Sequence, residues 1–483
     1  MILEKNSEAG GRCGSFHVNL PHVGRFRHER GPSLLLLPYI YRELFEDCGN
    51  STPEEHGLIM TQCVPAYKVV FSDGDTIEMG FPVGISNNNS AVESRKKLNE
   101  VEPNGAQKWD EYMAAMSAFL NCGLPNFIQE QLDLASFPTF VYQALRNGAK
   151  MWPLKPHSDS LDDIFTSTKL KALASFQDLY VGLEPYRNDG ELFGGVIKKT
   201  APTVFGLLSA LELHPTNKLA GVFAPKGGFQ SVSTAFKSLA ESRGVKIQYN
   251  CTVTKICSNG VYYKKLNDQS NTTMWMPANL CVVNADLPYA TKSLFQQTKH
   301  DKRDIIYDWD DSFDFSSGVI AFHWCVNKRL DALNTHNVFL CSDNRTLAKQ
   351  SWSVLRDTAN YKEGENENSC EPFNFYVHRP CNSDPSAAPD GHDSVTILVP
   401  CHTLRRSTEV ARLGKEEAMK FYREQFDEEF INSIRDAVFT RLSILKGVGN
   451  LKKSVLHEYI DTPATYANLY NLGAGTPFGL VSS

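Results

Sequence analysis

The sequence predicts an α/β fold, and three stretches carry that prediction. The chain opens on a short strand-like run, Met1-Ile2-Leu3, which passes directly to Glu4 and then to a glycine turn at Gly10-Gly11-Arg12. A second stretch, GVFAPKGGFQSVSTAFKSLAESRGVKIQYNCTVTKI from Gly221, reads as turn, helix, glycine stop and strand. A third, NLCVVNADLP, reads as another strand, ending at Asn284-Ala285-Asp286. In a dinucleotide-binding βαβ unit the second strand ends in an acid whose carboxylate accepts hydrogen bonds from ribose hydroxyls, ~20 residues after a glycine-rich phosphate loop. Glu4 fits that acid, and no such loop precedes it. The expectation is a Rossmann-like unit that is discontinuous in the chain and incomplete in its first element.

Each element has a local reason. Gly227-Gly228 allow a tight turn, and Val232, Phe236 and Leu239 then fall at i, i+4 and i+7 on one helical face. Gly244 suits the left-handed cap that ends a helix, and Val245, Ile247 and Tyr249 alternate as a strand does. Residues 31–49, GPSLLLLPYIYRELFEDCG, read as a turn and a helix stopping at Gly49, with Tyr41, Leu44 and Phe45 at helical spacing. That spacing suits a wall beside a cofactor and a core helix equally. Short strands are expected from Leu58 to Met79, and the chain then turns helical and polar. Residues 134–156, LASFPTFVYQALRNGAKMWPLKP, join Phe137, Phe140, Val141, Leu145, Met151 and Trp152 to Arg146, Lys150 and Lys155. Aromatic bulk edged by cations suits a segment lying in a bilayer interface, and an amphipathic core helix has the same pattern. Beyond Asp286, GVIAFHWCVNKRL and DSVTILVP read as strands, GKEEAMKFYREQFDEEFINSIRD as an amphipathic helix, and TANYKEGENENSC as a solvated loop.

Composition narrows the function. The 483 residues are 42% hydrophobic and 22% charged, a globular balance, and 28 Phe with 18 Tyr provide aromatic surface for a long apolar ligand. A net charge of -6 leaves no basic excess to neutralise phosphates, which excludes a general nucleic-acid binder. The 12 cysteines form no CxxC pair or zinc-ligand cluster and are expected as reduced, buried thiols. No apolar run reaches the ~18 residues of a membrane-spanning helix, and no leader pattern opens the chain. Serine-elbow, HExxH, Walker and EF-hand motifs are absent. GAGTPFG at residues 473–479 has no helix after it to present amides to a phosphate, so it reads as a turn, and His157, His323 and His378 read as structural histidines.

The segments LEKNSEAGGRCGSF, GPSLLLLPYIYRELFEDCG, SFQDLYVGLEPY, PKGGFQSVSTAFKSLAESRGVKI, VVNADLPYA, NFYVHRPCNSDPSAAP and YANLYNLGAGTPFGL together resemble the bacterial and fungal type of phytoene desaturase. These are FAD-dependent carotenoid dehydrogenases of the amine-oxidase-like flavoproteins. The resemblance runs in order over nearly the whole chain, with apparent insertions near Leu192 to Thr200 and around Glu363 to Cys370. It implies an FAD domain cut at both ends, with roughly 30 residues carrying the phosphate loop expected before Met1. It implies the first part of the FAD-binding domain over residues 1–100, a helical, membrane-apposed substrate region over 101–222, the second FAD part over 223–290, a mixed-sheet substrate domain over 291–460 and the start of a last FAD segment over 461–483. Glu4 is then expected to bind the adenosine ribose, Gly10-Gly11-Arg12 to bring backbone and a guanidinium to the flavin side, and the Val253 backbone to meet adenine.

Where the family carries an acid and an Arg just before the SFQ segment, this chain has TSTKLKALASFQ, with Thr168 and Lys171 in their place. Lys171 becomes the catalytic candidate by charge, without the guanidinium fork. Phe176, Tyr180, Tyr186 and Phe205 become candidates to face a substrate cation, with core packing as the alternative. The implied reaction is desaturation of a polyene such as phytoene, with oxygen or a quinone reoxidising the flavin. Carotenoid isomerases, retinol saturases and carotenoid ketolases resemble the same pattern, and the missing phosphate loop raises a flavin-poor, non-catalytic relative as the rival of a different class. A monotopic, membrane-associated, intracellular protein is expected, plastidial if the source is a photosynthetic eukaryote.

Overall fold

The computed structural model describes residues 1–82, 89–128, 135–148, 151–181, 185–186, 191–192, 197–198, 201–214, 221–266, 272–295, 314–342, 344–353, 373–404 and 415–481. Its centre is a seven-stranded mixed sheet. From one edge to the other the strands are Val455–Asp461, Gly318–Val326, Asp393–Cys401, Phe375–His378, His336–Leu340, Tyr67–Phe71 and Thr76–Met79. All neighbours are antiparallel except His336–Leu340 with Tyr67–Phe71. Strands from residues 67–79, expected in the first FAD segment, therefore form the edge of the sheet expected from residues 291–460.

Alternation along the strands gives the sheet two different faces. On one, Phe322, Trp324, Phe339, Phe375, Ile397 and Val399 pack with Ile434 and Val438 of the helix Glu428–Leu442, and Trp324 stacks on Phe439 at 4.3 Å. On the other, the register lines up Ala321, Leu398, Tyr376, Val338 and Val69 as successive cross-strand partners. This second face meets the helical region, whose core helix Gly105–Gly123 buries Trp109, Tyr112, Met116, Phe119 and Leu120.

The first expected stretch folds as read: Ile2–Leu3 pairs in parallel with Ile247–Gln248. The helix Gln230–Ser242 follows the turn at Gly227-Gly228, and Phe236 stacks on Tyr41 and Phe45 of the helix Pro38–Gly49. The helix at 38–49 is thus a packing element, and the turn before it supplies the ligand-facing residues described below. Residues 278–286 are a departure from the expected strand. They join no ladder, and Leu280 and Val282 are 81% and 84% exposed. An apolar run becomes a strand only when a neighbour takes its backbone groups, and past the Ala278 amide, which donates to Asn259 O, no described residue forms a ladder with this run. The long amphipathic helix expected after Gly414 is two helices, Lys415–Glu424 and Glu428–Leu442, because the Asp427 side chain accepts from the Phe430 amide and starts a new helix. The loop expected at 358–370 lies outside the described residues.

The segment expected at a membrane surface contains the helix Phe137–Arg146. Phe140 faces inward, stacked on Phe119, and Phe137 and Val141 are partly buried against the same core. The outward side carries Tyr142 and Leu145, and Trp152 and Leu154 are exposed beyond it. Lys150 lies outside the described residues. No helix among the described residues is long and apolar enough to cross a membrane.

Candidate functional site

A cavity of about 1680 Å³ opens between the N-terminal strand pair and the second face of the large sheet. Small-molecule sites usually occupy roughly 300–1,000 Å³. This one has room for more than one ligand, and its two ends differ in chemistry.

The polar end is built by Glu4, Lys5, Asn6, Gly10, Gly11, Arg12, Val253 and Asp286. Glu4 follows the first strand directly; its amide donates to Gln248 O at 2.9 Å, and its Oε1 accepts from the Asn6 amide at 2.7 Å. The carboxylate is thereby fixed at the strand end. Gly10 and Gly11 have φ of 128° and 52°, values an L side chain rarely adopts, and a Cβ on Gly31 would fall 2.2 Å from Arg12 O. Backbone approaches backbone here; Gly10 packs against the Gln230 and Ser233 side chains, and Gly11 has open space where a Cβ would stand. Arg12 Nη1 donates to Pro477 O, which ties this turn to the C-terminal loop around Gly473–Gly475. Burial lowers the Arg12 pKa, and the nearby Tyr466 and Asp286 oppose that shift. Asp286 itself accepts from the Tyr289 and Gly473 amides, each at 3.2 Å.

The helix Gln230–Ser242 does not offer its N-terminus to a ligand. Glu29 Oε2 accepts from the Phe229 amide at 3.0 Å, Ser15 Oγ accepts from Gln230 N at 3.3 Å, and Asp384 Oδ2 accepts from Gly227 N at 2.8 Å. Arg27 bridges the two carboxylates, 3.2 Å from Glu29 and 2.9 Å from Asp384. Burial pushes the Glu29 pKa up, while Ser15 and Arg27 hold it back. This buried network fixes the helix, and a Cβ on Gly228 would stand 2.3 Å from Glu29 Oε1.

The apolar end is floored by Val338, Tyr376 and Leu398, the cross-strand row of the sheet, with Leu340 and Val319 beside them. Phe176, Leu179 and Leu208 from the helical region form the opposite wall, and Ser33, Leu34 and Leu36 come from the turn before Pro38. Of the residues singled out in the sequence, Glu4, Gly10, Gly11, Arg12, Val253 and Phe176 meet on this cavity. Lys171, Tyr186 and Phe205 are not among its lining. Lys171 Nζ is 2.7 Å from Asp162 Oδ1, an acid that also pairs with Arg345. Its charge is spent on a carboxylate away from the cavity. Tyr186 is half-buried, and burial pushes its phenol up to about 12. Phe205 packs against the helical core. The side chain of Tyr180 lies outside the described residues.

The histidines read as structural are all buried. His157 joins Asp178 at 2.9 Å and Tyr112 at 3.0 Å, and His378 stacks on His336 at 5.4 Å. Among the described residues no group of His, Cys, Asp and Glu could hold a metal ion, and the eleven described cysteines form no disulfide with one another.

Residues 1–365 match the family described as flavin containing amine oxidoreductase. The chain belongs to that family. FAD is its cofactor, and the cavity fits the group: an acid fixed at a strand end, a positive-φ glycine turn and a guanidinium lie together at its polar end. The chain is 27% identical over 489 residues to a phytoene desaturase of Fusarium fujikuroi, covering 100% of this chain and 76% of that protein. It is 24% identical to a zeta-carotene-forming phytoene desaturase of Myxococcus xanthus, covering 99% of this chain and 79% of that one. Among solved structures, an oxidoreductase from Methanosarcina mazei superposes with a TM-score of 0.51 at 14% identity, over 99% of this chain and 90% of that one, a likeness of fold. This family member is an FAD-dependent α/β oxidoreductase.

Proposed function

We propose that this oxidoreductase desaturates a long apolar polyene, a carotenoid of the phytoene type, at a membrane surface. The observation that carries the reading is the continuity of one cavity from Glu4 and the Gly10-Gly11-Arg12 turn to the floor of Val338, Tyr376 and Leu398. A Rossmann-like unit around Ile2–Leu3 would hold the dinucleotide through Glu4 on a ribose and Arg12 near the phosphates or flavin, and Val253 would meet adenine. Bound FAD supplies the hydride acceptor. The protein's part is to lay the hydrocarbon along the flat floor, to keep water from a carbon that becomes positive, and to offer it the face of Phe176. The names of the relatives at about a quarter identity point to the same substrate class.

A carotenoid is stored in lipid, so the route to the cavity starts at a bilayer. We assign that contact to the exposed Tyr142, Leu145, Trp152 and Leu154, in peripheral attachment to an intracellular membrane, with oxygen or a quinone taking the electrons afterwards. The test is to supply phytoene in liposomes with FAD and a quinone and to separate the products chromatographically. The expected products have longer conjugation than phytoene. Isomerised or saturated products, or none, would overturn the desaturase reading.

A further inference from the structure

The apolar end of the cavity contains a polar group that a hydrocarbon does not need for binding. Tyr376 stands in the middle of the floor, between Val338 and Leu398, and its hydroxyl is 2.6 Å from His336 Nδ1 and 2.8 Å from Ser33 Oγ. With the imidazole in its Nε2–H tautomer, the phenol donates to Nδ1 and the Ser33 hydroxyl donates to the phenol. His336 Nε2 then carries its proton toward Cys63 Sγ at 3.6 Å. His336 has no exposed surface, and burial, with His378 stacked beside it, holds its pKa well below the ordinary value. The Cys63 thiol, pushed up to about 12 by burial, stays protonated. Tyr376 lines the cavity, and the hydrogen bond to His336 gives its phenol proton a place to go.

Desaturation removes a hydride and a proton from neighbouring carbons, and the run TSTKLKALA before the SFQ segment holds no acid. Resting on the desaturase reading, we propose that Tyr376 and His336 take that proton. As hydride leaves one carbon for FAD, the adjacent C–H bond breaks and its electrons become the new C=C bond. The proton binds Tyr376 Oη while the phenol proton passes to His336 Nδ1. A weak base suffices, because a proton beside a carbocation is held far less firmly than one on an ordinary carbon. Lys171, paired with Asp162, has no part in this transfer.

Tyr376→Phe keeps the ring and its packing but removes the oxygen. His336→Gln keeps a hydrogen-bonding group but removes the basic nitrogen. Three quantities are measured for wild type and both variants: bound flavin per chain, the polyene dissociation constant from the shift of its visible bands, and kcat. The expected result is a fall in kcat of about 100-fold in each variant, within the range of a lost proton-transfer group, with flavin content and polyene affinity within twofold of wild type. A fall of less than tenfold in either variant, or one accompanied by weaker polyene binding or lost flavin, overturns the assignment and leaves Tyr376 a packing residue. Absence of turnover in the wild type overturns the desaturase reading as well, so the two failures are distinguishable.

Discussion

Glu212 shows how a single residue can make stability depend on pH. It is 2% exposed, its Oε2 accepts a long 3.4 Å bond from Gln177, and hydrogen bonding from Tyr67 and Gln177 only partly offsets its burial. Burial raises its pKa from 4.5 to about 8. The folded protein therefore holds this proton where the unfolded chain has released it. The resulting stabilisation is complete below about pH 4.5 and is lost as pH rises through about 8. Glu212→Gln removes the titration, so its Tm minus that of the wild type is expected to grow steadily between those values. A difference independent of pH would mean that the carboxylate is solvated in the folded state. At the same scale, Glu4 could be picked out from the sequence because an acid ending a strand is a local signature of ribose contact, whereas Gly10, Gly11 and Arg12 came from the resemblance; all four line the cavity. Lys171 could not be placed, since spacing alone does not say whether a helical cation faces a ligand or an aspartate such as Asp162.

Elements separate roles that the sequence leaves merged. In the helix Phe137–Arg146 the aromatic positions divide between two environments: Phe140 is 1% exposed in the core, whereas Tyr142 is 64% exposed. Phe140→Ala is expected to lower stability by about 3–5 kcal/mol, as for a buried aromatic, with the loss read from denaturant midpoints. Trp152→Asp, at an exposed site, is expected to keep the wild-type midpoint and to reduce flotation with liposomes. Equal flotation of the two proteins would assign the membrane contact elsewhere. The helix Gln230–Ser242 was legible because its turn, apolar face and glycine stop are contiguous in sequence. Its capping was not, because Glu29, Ser15 and Asp384 reach it from distant positions. The run at 278–286 misled for a related reason: apolar alternation records a capacity to pair, and pairing depends on a partner elsewhere in the chain.

At the scale of the molecule, the cavity floor exists only through strand register. Tyr376 is brought between Val338 and Leu398 by two antiparallel pairings, and a shift of one residue would send it into the opposite core and bring Phe375 or Val377 to the ligand. NFYVH entered the sequence analysis only through the resemblance, and nothing in it names a neighbouring strand. The same sheet also imposes a timetable. The hairpin of Tyr67–Phe71 and Thr76–Met79 pairs its inner edge with His336–Leu340, which emerges about 270 residues later. At roughly 5–20 residues per second of synthesis, that edge waits on the order of 15 to 50 s with Val69, Val70 and Phe71 uncovered. An unpaired apolar edge is a template for other chains. A nascent chain stalled before His336 is therefore expected to bind chaperones or pellet, and one stalled beyond His378 to show a marked gain in solubility, as read by fractionation of arrested ribosome complexes. Equal solubility at the two stalling points would mean that the hairpin is sheltered by the earlier helices alone. Production of this oxidoreductase would then be limited less by the stability of the finished fold than by the time its first sheet edge spends waiting for a partner.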